Sequence, residues 1–152
     1  MRLATIKKNS AEIAGIVTPK GVFPIAALNA AKGTAWSTDR MSLIQAGEIP
    51  GLTVWYNAGG RYELDDLPGL VPQEEVVYAP LYRNPKRIFG IGLNYVDHAG
   101  DIGSAAPTGF PGSFFKMADT LVGPGDEIKL PTLKEAQKTT AEAELGVIMG
   151  KD

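Results

Sequence analysis

Two glutamates are separated by one alanine in the run Glu142-Ala143-Glu144-Leu145-Gly146-Val147-Ile148-Met149-Gly150. Read as a strand, this run puts Glu142, Glu144, Gly146 and Ile148 on one face and Ala143, Leu145, Val147 and Met149 on the other. The second face is wholly apolar and belongs in a core. The two carboxylates then stand about 6.6–6.8 Å apart along the backbone and point the same way. Like charges so close repel unless a cation sits between them. A hard divalent ion with oxygen ligands suits that place, Mg²⁺ or Mn²⁺ first and Ca²⁺ as the further option. The same spacing also suits the solvent face of an ordinary amphipathic strand.

The sole histidine is His98, in Gly90-Ile91-Gly92-Leu93-Asn94-Tyr95-Val96-Asp97-His98-Ala99-Gly100-Asp101. The glycine spacing invites a dinucleotide-binding reading, but G-x-G-x-x-G needs glycine where Tyr95 stands, so that reading is rejected. What remains is a buried strand that delivers a polar cluster onto a short helix or loop. His98 and Asp101 are three residues apart and share a face if the segment is helical. A carboxylate beside an imidazole fixes its tautomer and raises its basicity, which suits a general base acting on water. The alternative is a solvated histidine with an incidental aspartate.

Phe114-Phe115-Lys116 is the third candidate. A lysine after two aromatics on a short strand can bring an ammonium into a pocket, where it would hold a carboxylate or an enolate. Otherwise it is a surface lysine at a strand end.

The elements that must carry these residues can be read around them. Leu3 to Ile6, Ile13 to Val17 and Val22 to Ile25 are apolar runs. Lys7-Lys8-Asn9-Ser10 and Thr18-Pro19-Lys20-Gly21 separate them as turns, which predicts a small antiparallel meander. Ala26 to Lys32 reads as helix. Ser37-Thr38-Asp39 caps a second helix from Arg40 to Ala46, ended by Gly47. Leu52 to Tyr56 fits either strand or short helix, and Asn57 to Pro72, with three Gly and two Pro, reads as loop or linker. Pro68 to Pro72 is the expected boundary between a β-rich N-terminal domain, 1–72, and a second domain, 73–152. In the second, strands are expected at Val76 to Leu81, Arg87 to Gly92, Ser113 to Met117, Glu127 to Leu130 and Glu142 to Met149. Asn94 to Gly100 is expected to make one or two helical turns, and Gly123-Pro124-Gly125-Asp126 a turn. The fold class is α+β, mostly β.

Composition limits the function classes. The chain has 152 residues, 44% hydrophobic and 21% charged, which describes an ordinary globular protein. A formal net charge of −2 gives no reason to expect a nucleic-acid or membrane-surface partner. There is no apolar run of membrane-spanning length and no signal-peptide pattern, so the cytoplasm is the default expectation. With no cysteine, thiolate catalysis and Cys-type zinc sites are excluded.

Four segments in order resemble the fumarylacetoacetate hydrolase superfamily: Pro85 to Ala99 with its Gly-Leu-Asn-Tyr-Val-Asp-His core, Phe114-Phe115-Lys116, Leu121 to Pro131, and Glu142 to Lys151. The resemblance is clear from about residue 79 onward. It implies a mixed β-sheet roll, of which this chain would hold the first part. It implies a divalent metal, Mg²⁺ or Mn²⁺, held by Glu142 and Glu144 together with an aspartate further along. It implies a His–Glu pair on a mobile lid that activates water, with His98 as general base, and a lysine, here Lys116, that contacts substrate oxygens. Family members hydrolyse, decarboxylate or isomerise 2-oxo and 1,3-dicarbonyl acids through an enolate, which the metal stabilises as a Lewis acid. A homodimer of the complete enzyme is also implied. Two departures stand out. Asp101 occupies the position of the lid glutamate and is one methylene shorter, and the later aspartate ligand is not in this sequence.

The stop at Asp152 fits a piece of a nicked or split enzyme, a truncated relative without metal or activity, or an artificial or gene-prediction fragment. The apolar face of 142–149 favours the first, since an unpaired hydrophobic edge is an aggregation liability. A C-terminal polypeptide completing the domain is therefore expected as partner. The alternative is a non-catalytic relative that serves as a binding or assembly subunit.

Overall fold

Asn9 and Ser10 both have left-handed backbones, φ 49° and 64°. Two consecutive left-handed residues give the turn whose twist matches two antiparallel strands, and they join β1 (Leu3–Lys8) to β2 (Ala11–Thr18). β3 (Gly21–Pro24) pairs antiparallel with β2, and the short β4 (Val71–Pro72) pairs with β3, giving a four-stranded sheet in the order β1-β2-β3-β4. The computed structural model describes residues 1–130, 132, 134 and 139–150. Pro131 and Lys151, the last residues of two of the family-like segments, lie outside them.

Alternation along the strands gives this sheet two apolar faces. Ala14, Ile16 and Phe23 pack with Ile25, Leu28, Leu43, Leu52 and Leu64 from the helices, while Ala4, Ile6 and Val22 pack with Ile13, Val17, Val71, Val76 and Tyr78. Strand partners keep to one face: Ile16 sits opposite Phe23, and Val17 opposite Val22.

Helix α1 (Ile25–Lys32) starts directly after β3 and ends at Gly33, whose φ is 64°. Asn29 pins the next loop by donating to the Trp36 carbonyl (2.7 Å) and accepting from its N–H (3.0 Å). Asp39 caps α2 (Arg40–Gln45) as its sequence suggests, accepting from the N–H of Ser42 at 2.8 Å. α3 (Ile49–Trp55) settles the ambiguous segment as helix. A π-type turn, Tyr56–Gly60, follows and is kinked at Gly59, whose φ is 122°, before the short α4 (Arg61–Glu63). The stretch that reads as linker, Asn57 to Pro72, is therefore largely structured. Its glycines and prolines argue for a loop, but burial of Leu52 and Leu64 against the sheet overrides their weak helix propensity.

After β4 the chain runs along the free edge of β1. Lys7 N–H donates to Val77 (2.8 Å), Ala79 N–H donates to Thr5 (2.9 Å), and Tyr78 bridges Ile6. The strand expected over Val76 to Leu81 is thus one bridge. Contacts divide the chain into two compact units, residues 1–82 with 122–152, and residues 83–121. In the first unit Lys7 forms an ion pair with Asp126 at 3.5 Å. The predicted turn is present there, with Asp126 N–H bonded to Gly123 and Gly123 N–H to the Asp126 carboxylate.

Residues 127–130 and 139–150 carry no regular secondary structure, contrary to the strands expected at Glu127 to Leu130 and Glu142 to Met149. A strand exists only through its ladder, and no described strand pairs with either segment. The face expected in a core is exposed as well: Leu145, Val147 and Met149 are 83%, 77% and 87% exposed. Among the described residues, no helix is long and apolar enough to cross a membrane.

Candidate active site

The second unit is built on a two-stranded antiparallel ribbon, β5 (Ile88–Ile91) with β6 (Ser113–Lys116). Ile88 stands opposite Lys116, Phe89 opposite Phe115, and Gly90 opposite Phe114. The sequence suggests a fully buried β5, yet its residues alternate half-buried and exposed. A ribbon this short is marginal alone, so side-chain pairs matter. Phe89 and Phe115 meet edge to face with centroids 5.5 Å apart. On the other face Gly90 leaves room for the Phe114 ring, since a β-carbon there would lie 2.4 Å from Phe114 Cζ. Lys116, two residues along on the same face as Phe114, holds its ammonium 5.8 Å from that ring's centroid. Lys116 is exposed.

Between the strands lies α5 (Val96–Asp101), the short helix expected from the sequence, and it carries both His98 and Asp101. The spacing places them on one helical face. His98 is half-buried, Asp101 is exposed, and Ala99 is fully buried. The helix end is firmly closed: Ser104 N–H donates to the Ala99 carbonyl at 2.7 Å and Gly103 N–H to Gly100 at 3.0 Å, with Gly103 at φ 70°. This is the paired hydrogen-bond motif in which glycine at the left-handed position ends a helix. Sequence reading did not find this closure, nor the left-handed Leu93 (φ 57°) that precedes the helix. Gly103 alone was a usable signal. Nothing about a leucine announces positive φ.

Glu142 and Glu144 belong to the first unit, in the irregular segment 139–150, and both are exposed. His98, Asp101 and Lys116 belong to the second. Among the described residues, no group of three or more His, Asp and Glu side chains gathers to hold a metal ion. The donor chemistry of the glutamate pair still fits one: carboxylate oxygens are what Mg²⁺ and Mn²⁺ prefer, and such ions take their remaining positions from water and substrate.

Residues 87–152 match the family model described as fumarylacetoacetate (FAA) hydrolase C-terminal. The chain is 35% identical over 82 residues to the human mitochondrial oxaloacetate tautomerase FAHD2A, a match covering 54% of this chain and 25% of that protein. It is 43% identical over 68 residues to the mitochondrial oxaloacetate tautomerase fahd2 of Xenopus laevis, covering 45% of this chain and 20% of the relative. A crystal structure of an HpcE protein from Mycobacterium smegmatis shares the fold, with TM-score 0.61 at 24% identity over 87% of this chain and 41% of that one. The chain thus matches the fumarylacetoacetate hydrolase family over residues 87–152, and its fold is similar to that of the HpcE protein. Its matched part spans a quarter or less of the length of these two curated relatives.

Proposed function

We propose that this chain is part of a divalent-metal-dependent enzyme that acts on 2-oxo or 1,3-dicarbonyl acids through an enolate. The observation that carries this reading is the helix α5, which presents the sole histidine and an acidic residue three positions later within the family-matching region. His98 is the general base. It takes a proton from water in C–C hydrolysis, or from the carbon beside the carbonyl in isomerisation. Asp101 orients the imidazole and offsets its charge once protonated. Lys116, whose ammonium lies 5.8 Å from the Phe114 ring centroid, holds the substrate's anionic oxygens. Glu142 and Glu144 would hold Mg²⁺ or Mn²⁺, which when bound supplies Lewis-acid stabilisation of an enolate. The relatives named as oxaloacetate tautomerases favour oxaloacetate as the first substrate to try, and a proton shift as the first reaction.

The same reading includes a polypeptide partner. Leu145, Val147 and Met149 are exposed apolar residues that follow the glutamate pair in sequence, and a covering segment that also brings a further carboxylate would complete both core and site. The shorter Asp101 supports a second reading, a family member that binds or assembles without catalysis.

The test is turnover of oxaloacetate and acylpyruvates with and without Mg²⁺ or Mn²⁺, in the native material. Metal-stimulated turnover is expected. No turnover of any such acid, together with tight Mn²⁺ binding, would favour the non-catalytic reading.

A further inference from the structure

Among the described residues three non-glycine positions have positive φ: Asn9, Ser10 and Leu93. The first two are the centre of the β1–β2 hairpin, where both must be left-handed. Leu93 is different. Turns give a left-handed position to Gly, Asn or Asp, because a β-carbon there crowds the following carbonyl. A leucine in that conformation is held by its surroundings rather than by its own preference.

Those surroundings are visible on both sides. Upstream, β5 is fixed in its ladder with β6 through Ile91, opposite Ser113, and Gly92 N–H donates to Gly112 at 2.8 Å. Downstream, Tyr95 is the N-cap of α5, and its carbonyl accepts from Ala99 N–H at 3.0 Å. Only Leu93 and Asn94 lie between the ladder and that cap. The helix is also pinned by the fully buried Ala99 and closed by the Gly103 motif. The direction in which β5 hands the chain to α5 is thus set largely by one backbone angle. His98 is the residue next to the pin.

We propose that Leu93 is a positioning residue for His98. Its left-handed backbone aims α5, and its side chain narrows the range of angles the junction can sample. Glycine at 93 would accept the present angle without strain but would also admit the opposite hand. Asparagine would accept the left-handed angle while remaining more restricted than glycine. The inference rests on the reading of His98 as the base, but its test has a readout that does not depend on activity. His98 is the sole histidine, so its ring resonances are unambiguous in a ¹H–¹⁵N spectrum of the full chain.

The experiment compares the wild type with Leu93→Gly and Leu93→Asn by thermal midpoint, His98 ring resonances, and kcat and KM for oxaloacetate. For Leu93→Gly, the midpoint should hold or rise. The His98 ring signals should shift and broaden, and kcat should fall by up to about 10²-fold from misplacement, with KM little changed. Leu93→Asn should keep both the wild-type ring signals and kcat. Unchanged ring signals in a folded Leu93→Gly would overturn the proposal, as would ring signals in Leu93→Asn displaced as far as in Leu93→Gly. If Leu93→Gly fails to fold, displaced ring signals in Leu93→Asn overturn it and wild-type signals uphold it. Shifted ring signals in Leu93→Gly, with no turnover by the wild type, would uphold the positioning role and remove the functional reading beneath it.

Discussion

Gly90 and Phe114 stand opposite each other in the β5–β6 ladder, and the phenylalanine ring occupies the volume where a side chain at 90 would be. That ring is also the one beneath the Lys116 ammonium. Gly90→Ala should therefore displace Phe114 and, with it, Lys116. The expected result is a KM for 2-oxo acids raised about tenfold, the loss of roughly one charge-assisted hydrogen bond, with kcat changed far less. Steady-state kinetics on the purified variant checks it, and a fall in kcat at constant KM would remove Lys116 from substrate binding.

His98→Ala should lower kcat by about 10²–10⁴-fold while Mn²⁺ affinity is retained. Turnover and metal titration on the same preparation separate these effects. Unchanged turnover would mean that α5 carries an ordinary polar histidine.

How much of this was legible in the residues can be judged element by element. The meander was, because Asn9-Ser10 and Pro19-Lys20 are turn sequences between runs with period-2 alternation. So was α2, through Asp39, and α5, through the polar cluster after an apolar run. The helices between 49 and 63 were only partly legible. Their Gly and Pro content points to loop, and what orders them is packing of Leu52 and Leu64 against strands distant in sequence. Val71–Pro72 joins a sheet by pairing with Val22 and Gly21, a partnership that no local pattern encodes. The alternation at 142–149 suggested a strand with a buried face, but a ladder needs a neighbour, and no described strand pairs with this segment. Leu93 was invisible for a different reason: its backbone is imposed by the structure on either side of it.

Arg40 offers a stability test away from the site. It is 6% exposed, and its Nε and Nη2 lack hydrogen-bond partners. Desolvation lowers its basicity below the ordinary arginine range. The unfolded chain thus binds this proton more tightly than the folded one, so stability should rise with pH between the depressed native value and the ordinary one. Arg40→Met keeps the length and removes the buried charge. It should stabilise the protein by about 1 kcal/mol or more and abolish that alkaline rise, as read by denaturant unfolding across pH. A destabilised Arg40→Met would show that the guanidinium is well compensated.

Loss of the α2 cap is the control in the other direction. Asp39→Ala removes the acceptor for both the N–H and the hydroxyl of Ser42 and should cost about 1 kcal/mol. The same unfolding curve reads it, and an unchanged midpoint would show that α2 is held by packing alone.

The central claim is that Glu142 and Glu144 hold a divalent ion, and Mn²⁺ titration followed by EPR tests it most directly. In native material Mn²⁺ should bind, Mg²⁺ should compete for the same place, and Glu142→Gln and Glu144→Gln should each weaken binding by about tenfold or more. Mn²⁺ affinity unchanged in the Glu142→Gln/Glu144→Gln double variant, with the fold intact, would contradict the account.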